Sequence, residues 1–583
     1  VRLLSRLRPG ISAATAAILF GALGIYATAA APPAAAEANG LAATPIMGWS
    51  SWSYVRSDPT EAKIEAEADA MKSSGLAAVG YQYVNVDDFW MACNSDGPEV
   101  DANGYWEADT AKFPDGMAAV ASHVHADGLK FGLYLTPGVP ENAVLAKTPI
   151  EGASDTAAGI AETSVSENNY NCKHMYGINY SAAGAQAYIN GWADLLASWG
   201  VDYLKIDGVG AGDIADIQAW STALKQTGRP IVLELSNSLS ISDATTWSTL
   251  ANGWRTTGDI ECYCGSDGSS YPLTKYSNVS SRFNAAASWQ PYAGPIVEGW
   301  NDMDSTEVGN GSNDGLTEPE RQTQLSLWSL ASSPLILGSD LTNLDPTDLG
   351  LLKNTAVIAV DQDAIPGDRV LTGTNEQVFD KREKAGDYIV GIFNTDTSAS
   401  HSFTVSLAQL GLAGSANLTD LWSGDSLGSG ASITETVPAG GVALVKAAPT
   451  SGTGGMNELI QSASGKCVDT YKVLFTPGTK EELWSCNGGI GQELSPTSAS
   501  ELRTEGATEC LDVYDNETAA GTIVELWPCD GGANQKWTVE SNGEVVDQQS
   551  GLCLDSSGGA TADGAQLIIN TCSGSTSQKW SWS

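Results

Sequence analysis

The stretch VDYLKIDG, residues 201–208, sets apolar Val201, Tyr203, Leu204 and Ile206 around a lysine and an aspartate and stops at a glycine. So short an apolar run, closed by a glycine, reads as a buried β-strand with Lys205 and Asp207 at its end. Taken alone, such a pair is a solvated strand end with a salt bridge. Seven other stretches change that reading: PIMGWSSW (45–52), YQYVNVDDFW (81–90), KFGLYLTP (130–137), PIVLELSN (230–237), GWRTTGDI (253–260), PIVEGWND (295–302) and PLILGSDL (334–341). Between several of them lie amphipathic helical segments. Residues 60–75 open on a Thr cap and close on Gly75, and residues 184–200 end on Gly200. Eight strands alternating with helices over residues 41–371 predict an α/β fold, a (β/α)8 TIM barrel.

In such a barrel the reactive groups sit at the C-terminal ends of the strands. Here those ends carry Asp87 and Asp88, Lys205 and Asp207, Asn237, Arg255 and Asp259, and Asp302 and Asp304, with Trp49 and Trp90 alongside. One charged strand end is solvation; a ring of them predicts an active site. Residues 41–371 hold no phosphate-binding glycine loop and no G-x-S-x-G elbow. The four histidines and the cysteines show no metal-ligand spacing, so neither a metal nor a cofactor is expected. Carboxylates remain, and two of them across a pocket are the machinery of glycoside hydrolysis.

The chain of 583 residues carries a formal net charge of −40, which repels nucleic acid and anionic membranes and suits neutral ligands such as sugars. Its N-terminus has Arg2, Arg6 and Arg8, then an apolar stretch, then small residues. Residues 1–36 therefore read as a secretory signal peptide, and no stable membrane anchor is expected. A secreted, extracellular chain would hold most of its ten cysteines as disulfides.

Six of these cysteines obey a rule. Cys467 and Cys486, Cys510 and Cys529, and Cys553 and Cys572 are each 19 apart, and each pair begins 43 residues after the last. Gln492, Gln535 and Gln578 keep the same step. This is an internal triplication, and threefold closure suits a β-trefoil over residues 456–583. The stretch 448–455, APTSGTGG, reads as a linker. Before it, the alternating runs of 372–447 read as an antiparallel β-sandwich.

The motifs CVDTY, CLDVY, CLDSS and QxW resemble the ricin B-type lectin module, carbohydrate-binding module family 13. The resemblance implies one sugar site per repeat, with an Asp to bond hydroxyls and an aromatic ring to stack. These are Asp469 with Trp484 and Asp512 with Trp527; in the third repeat Asp555 has Asn570 at the stacking position. Two competent sites and one weak one are expected. Leu494 stands where Trp537 and Trp580 complete the QxW pattern, and is read as a core substitution.

In the barrel, MGWSSW (47–52), YQYVNVDDFW, GVDYLKIDG, WRTTGDI (254–260) and GWNDMD (299–304) resemble glycoside hydrolase family 27, the α-galactosidases and their relatives. The resemblance implies a retaining double displacement with Asp207 as nucleophile and Asp259 as acid/base. It implies that Lys205 keeps Asp207 ionised, that Arg255 binds hydroxyls near C2, and that Asp87 and Asp88 take the C4 and C6 hydroxyls. Trp49, Trp90, Tyr134 and Asp304 complete the site, with Asn237 near the place of a family glutamate. Departures surround the sugar: LTPG after Tyr134, Phe89 and Val209 at positions where relatives carry cysteine, Met303 for proline, and an insertion at 138–183 whose Cys172 is a candidate partner for Cys93. The family also holds β-L-arabinopyranosidases and isomalto-dextranases, which stay open as alternatives. A non-catalytic carbohydrate-binding protein is a third reading, opposed by retention of both Asp207 and Asp259. An oligo- or polysaccharide is the expected substrate, with a carbohydrate ligand on the lectin module; no oligomeric state is set.

Overall fold

The computed structural model describes residues 39–582 apart from 168, 262–273, 295–298, 384–386, 411–413, 451–456, 487–489, 497–498, 505–508 and 541. The expected signal peptide, most of the expected linker, and Cys262 and Cys264 lie outside the described residues.

All eight expected strands form: β1 (Met47–Ser50), β2 (Tyr83–Val86), β3 (Lys130–Leu135), β4 (Tyr203–Ile206), β5 (Val232–Leu235), β6 (Gly253–Arg255), β7 (Trp300–Asp302) and β8 (Leu335–Leu337). They pair in parallel in the order β7-β6-β5-β4-β3-β2-β1-β8. A parallel bridge from Thr306, just beyond β7, to Leu337 of β8 brings the two edges together. The fold is the TIM barrel. The helix α1 (Glu61–Ser73) is capped by Thr60, whose side chain accepts from the Lys63 N–H at 3.3 Å. The helix α2 (Ala185–Trp199) ends on Gly200 at φ 89°, where a residue with a Cβ would be strained.

The barrel axis is filled in layers. Tyr83, Tyr203 and Val232 pack with Ile46 at its floor. Above them alternate strands supply very large or very small residues. A Cβ on Gly253 would lie 1.8 Å from Glu234 Oε2, and one on Gly132 would lie 2.8 Å from the Tyr203 ring. These glycines exist because a neighbouring side chain occupies their space. The opposite strand faces, with Val84, Val86, Leu133, Leu204 and Leu233, join the core under the helices.

The sandwich follows as two antiparallel sheets. The larger has six strands, and the smaller pairs His401–Ser406 with Ser432–Val437. Its last strand runs Val442–Pro449, so Ala448 and Pro449 belong to the sheet rather than to the expected linker. Phe379, Phe393 and Leu444 enter the barrel's core. The buried Lys381 ammonium bonds Ser329 O at 3.1 Å, Asp363 Oδ1 at 2.8 Å and the Val360 carbonyl, pinning sandwich to barrel.

The trefoil core is threefold. Val468, Leu511 and Leu554 recur at 43-residue steps, as do Leu494, Trp537 and Trp580. Leu494 is buried where the other two repeats place tryptophan, as a core substitution requires. All three expected repeat disulfides form. Val473 packs on Ile365, joining trefoil and barrel. Among the described residues no helix is long and apolar enough to cross a membrane.

Candidate active site

Inward positions of β2, β4, β5, β6 and β7 carry polar groups to the C-terminal mouth. A narrow cavity there is lined by Trp52, Asn85, Lys205, Glu234, Arg255, Asp302 and Asp304. Two cations organise it. Lys205 Nζ lies 2.8 Å from Asp87 Oδ2, not against Asp207 two residues along its own strand. Consecutive inward residues of a strand point the same way but stand about 6–7 Å apart along it. The lysine instead bends to the neighbour it meets across the barrel. Burial opposes its charge, yet Asp87 and then Asp207 more than offset this and raise its pKa. The expected Lys205–Asp207 pair is therefore corrected to a Lys205–Asp87 bond with Asp207 in its field.

Arg255 is the second cation. Its Nη2 lies 2.7 Å from Asp259 Oδ1, and its Nη1 lies 3.1 Å from Asp304 Oδ1. Burial alone would push Asp259 up, but the guanidinium outweighs it and holds this carboxyl below its usual value. Asp304 also accepts the Ile260 N–H, which fixes the segment bearing Asp259. Burial pushes Asp302 up to about 6 and Glu234 well up. Arg255 Nε and Glu234 Oε1 are buried with no hydrogen-bond partner among the described residues, an unsatisfied donor and acceptor beside the cavity.

Asp207 is half-buried and accepts the Tyr134 hydroxyl at 3.4 Å. Asp87 and Asp88 are both buried. Asp88 accepts the Phe89 N–H at 2.6 Å and the Asn171 N–H at 2.9 Å. Burial pushes Asp88 up to about 7. Asn171 belongs to the 138–183 insertion, and the Cys93–Cys172 disulfide ties that insertion to the segment after Trp90.

Three expected residues sit otherwise. Trp90 is fully buried, donates its indole N–H to Tyr134 O at 2.9 Å and packs on Trp106 and Trp199; it supports Tyr134 from behind. Trp49 borders the cavity from the core side, fully buried, with its N–H committed to Ser339 O at 2.8 Å. Asn237 is exposed and does not line the cavity, and its Oδ1 accepts the Ser238 hydroxyl at 3.1 Å. The group on the barrel axis from that strand is Glu234, paired in register with Lys205 and Gly253. Strand alternation through Val232, Glu234 and Ser236 could have found it.

Trp52, in the short turn of helix Ser51–Tyr54, was also missed. It is half-buried at the mouth, stacked 6.2 Å from Phe89, with Tyr170 edge-on at 5.5 Å and the Arg56 guanidinium 4.5 Å above it. The four histidines stand apart from this site, each paired with a carboxylate elsewhere: His123 with Asp69, His125 with Asp202, His174 with Glu141 and His401 with Asp396.

The trefoil repeats a different pattern. Gln492, Gln535 and Gln578 donate to Asp469, Asp512 and Asp555 at 2.7, 2.9 and 3.0 Å. Trp484 and Trp527 are 41% and 43% exposed, so each offers a ring face. The second repeat holds a cavity of about 320 Å³ lined by Asp512, Asn516, Trp527 and Asn534. In the third, the stacking position holds Asn570 instead of a ring, and its amide donates to Asp555 Oδ2 at 3.2 Å, as Asn534 does to Asp512 Oδ2 at 2.9 Å in the second.

A TIM barrel that gathers carboxylates at the C-terminal ends of its strands has the architecture of a glycosidase. Residues 44–157 and 171–363 match the family model "Alpha galactosidase A", and 373–447 match its C-terminal β-sandwich domain. Residues 456–580 match the ricin-type β-trefoil lectin domain. An α-galactosidase of Oryza sativa subsp. japonica is 32% identical over 406 residues, 68% of this chain and 83% of that enzyme. Alpha-galactosidase A of Cellvibrio japonicus is 32% identical over 431 residues, 70% of this chain and 93% of that enzyme. Among solved structures, a β-L-arabinopyranosidase of Geobacillus stearothermophilus superposes with a TM-score of 0.64 at 29% identity, covering 71% of this chain and 98% of that one. α-Galactosidase I of Mortierella vinacea superposes at 0.56 with 29% identity, covering 70% and 98%. The chain belongs to glycoside hydrolase family 27 and is an α-galactosidase-like glycosidase.

Proposed function

We propose that the chain is a secreted retaining α-galactosidase that releases terminal α-D-galactosyl residues from oligo- or polysaccharides held by its lectin module. The arrangement of Arg255 carries the reading. It bridges Asp259 and Asp304 while its own Nε has no partner among the described residues, so a sugar hydroxyl can take that donor and share the guanidinium with Asp259. Asp207 attacks the anomeric carbon, oriented by the Tyr134 hydroxyl. As the C1–O bond breaks, Asp259 gives its proton to the leaving oxygen, then takes one from the water that releases the sugar. Asp87, held by Lys205, and Asp88, held by two backbone N–H groups, present oriented carboxyl oxygens to the C4 and C6 hydroxyls. Four disulfides among the described residues suit an oxidising compartment, which supports export.

The arabinopyranosidase-like backbone favours a second reading, the same machinery acting on a pyranoside that lacks C6. Initial rates on aryl α-D-galactoside and aryl β-L-arabinopyranoside separate the two. The expected result is faster galactoside cleavage, with α-galactose as the first anomer seen by NMR. Preference for the arabinoside sinks the galactosidase assignment, and β-galactose as first product sinks retention.

A further inference from the structure

Among the described residues four large aromatic side chains are exposed. Three belong to the trefoil: Trp484 and Trp527 at the expected stacking positions, and Tyr514, which lines the second repeat's cavity with Trp527. The fourth is Tyr170, 48% exposed, in the insertion after β3. It is the last residue of the gap, 158–170, between the two stretches that match the α-galactosidase family model, so that model does not account for this ring. An exposed aromatic at the rim of a cleft offers a flat apolar face to a ligand.

Tyr170 is held at the barrel mouth from two sides. Its ring stands near-perpendicular to those of Trp52 and Phe89, with centroids 5.5 and 6.0 Å away, and stacks on neither. Trp52 lines the cavity, and Phe89 directly follows Asp88. The Tyr170 hydroxyl accepts from Arg56 Nη2 at 3.2 Å. Arg56 Nη1 lies 3.5 Å from Glu261 Oε1, which also accepts the Trp52 indole N–H at 2.6 Å. Glu261 stands two residues beyond Asp259, so this side of the anchorage is the segment that bears the proposed acid/base. On the other side the next residue, Asn171, gives its N–H to Asp88 Oδ2 at 2.9 Å, and Cys172 is bonded to Cys93. The ring is thus tied both to a carboxylate proposed to hold the galactosyl hydroxyls and to the segment that serves the leaving oxygen. Resting on the retaining-glycosidase reading, we propose that Tyr170 is the stacking platform for the leaving sugar, a specificity-determining residue that favours an oligo- or polysaccharide over a galactoside with a small leaving group. The pyranose beside the cleaved bond lays its apolar face on the ring. Lys173, whose ammonium lies 5.8 Å from the ring centre, can donate to that sugar's hydroxyls.

The test compares kcat/KM on an α-linked galactosyl-glucose disaccharide with kcat/KM on α-galactosyl fluoride, whose leaving group is a single atom with no ring to stack. Tyr170→Ala should lower the disaccharide-to-fluoride ratio by about fivefold. Tyr170→Phe keeps the ring and loses only the bond to Arg56, so it should hold the wild-type ratio. A purely structural role for Tyr170 would lower both rates together and leave the ratio in place. An unmoved ratio in a folded Tyr170→Ala enzyme overturns the inference, and so does a Phe variant that loses as much as the Ala variant. Should Tyr170→Ala fail to fold, Tyr170→Leu, which keeps bulk without a ring, is read by the same ratio. A wild-type enzyme that cleaves neither compound sinks the galactosidase reading and this inference with it. Cleavage of both with no change in the ratio sinks this inference alone.

Discussion

The barrel mouth and the lectin repeats both hold aspartates in side-chain hydrogen bonds, but they hold them differently. In the barrel the partners are cations, Lys205 on Asp87 and Arg255 on Asp259 and Asp304. In the trefoil they are neutral amides, Gln492, Gln535 and Gln578. An amide fixes where an acceptor oxygen points and leaves its charge balance nearly alone. A cation also sets which carboxyl keeps a proton. Binding needs the first; bond cleavage needs the second. Under the proposed function, the same side-chain type would serve recognition in one domain and proton control in the other.

The sharpest way to break this contrast is to change the two domains separately, carboxyls in the barrel and ring positions in the trefoil. Asp207→Asn should lower kcat/KM on every substrate by a factor on the order of 10⁴ or more, while lectin binding stays intact by affinity electrophoresis. Asp259→Asn should cost about 10²–10⁴-fold on poor leaving groups and much less on activated aryl galactosides, read as a steeper dependence of rate on leaving-group pKa. In the trefoil, Trp484→Ala and Trp527→Ala should each weaken sugar binding at its repeat by about 1 kcal/mol, roughly fivefold in Kd by calorimetry, with hydrolysis of small substrates unchanged. Asn570→Trp should gain a third site, since it restores the ring; an unchanged stoichiometry would show that the missing ring is not what limits the third repeat.

The smallest effect concerns stability. Burial raises Asp88 to about 7, Asp302 to about 6 and Glu67 to about 8. Each folded-state value lies above the unfolded one, so the native state binds more protons between about pH 4 and pH 8. Stability is then highest at the acid end of that window and falls as pH rises through it. The barrel's Tm should drop by several degrees between pH 5.5 and pH 8. A rise over that range would contradict these assignments.

Much of the barrel was readable because each strand is a short apolar run that ends in polar residues, and two strand ends, KID and RTTGD, carry specific motifs. The trefoil was readable from arithmetic alone, because a 43-residue period leaves little freedom. What escaped were choices between neighbours. Lys205 reaches Asp87, 118 positions away in sequence, because side chains meet across the axis and not along one strand. Trp52 outranks Trp49 because the chain leaves the strand at Ser50 and enters a turn of helix, which throws the second indole to the mouth. Glu234 outranks Asn237 because the strand ends at Leu235, after which alternation no longer fixes direction. Local pattern identifies the strand; the closure of the barrel decides which of its residues meet.

The division of labour between Asp207 and Asp259 can be tested most directly by trapping. An activated fluorinated α-galactoside that forms a glycosyl-enzyme quickly and releases it slowly should add one sugar to the protein. Peptide mass spectrometry should then find that sugar on Asp207, within the VDYLKIDG stretch. A label on Asp259, or on any carboxylate other than Asp207, would contradict the account.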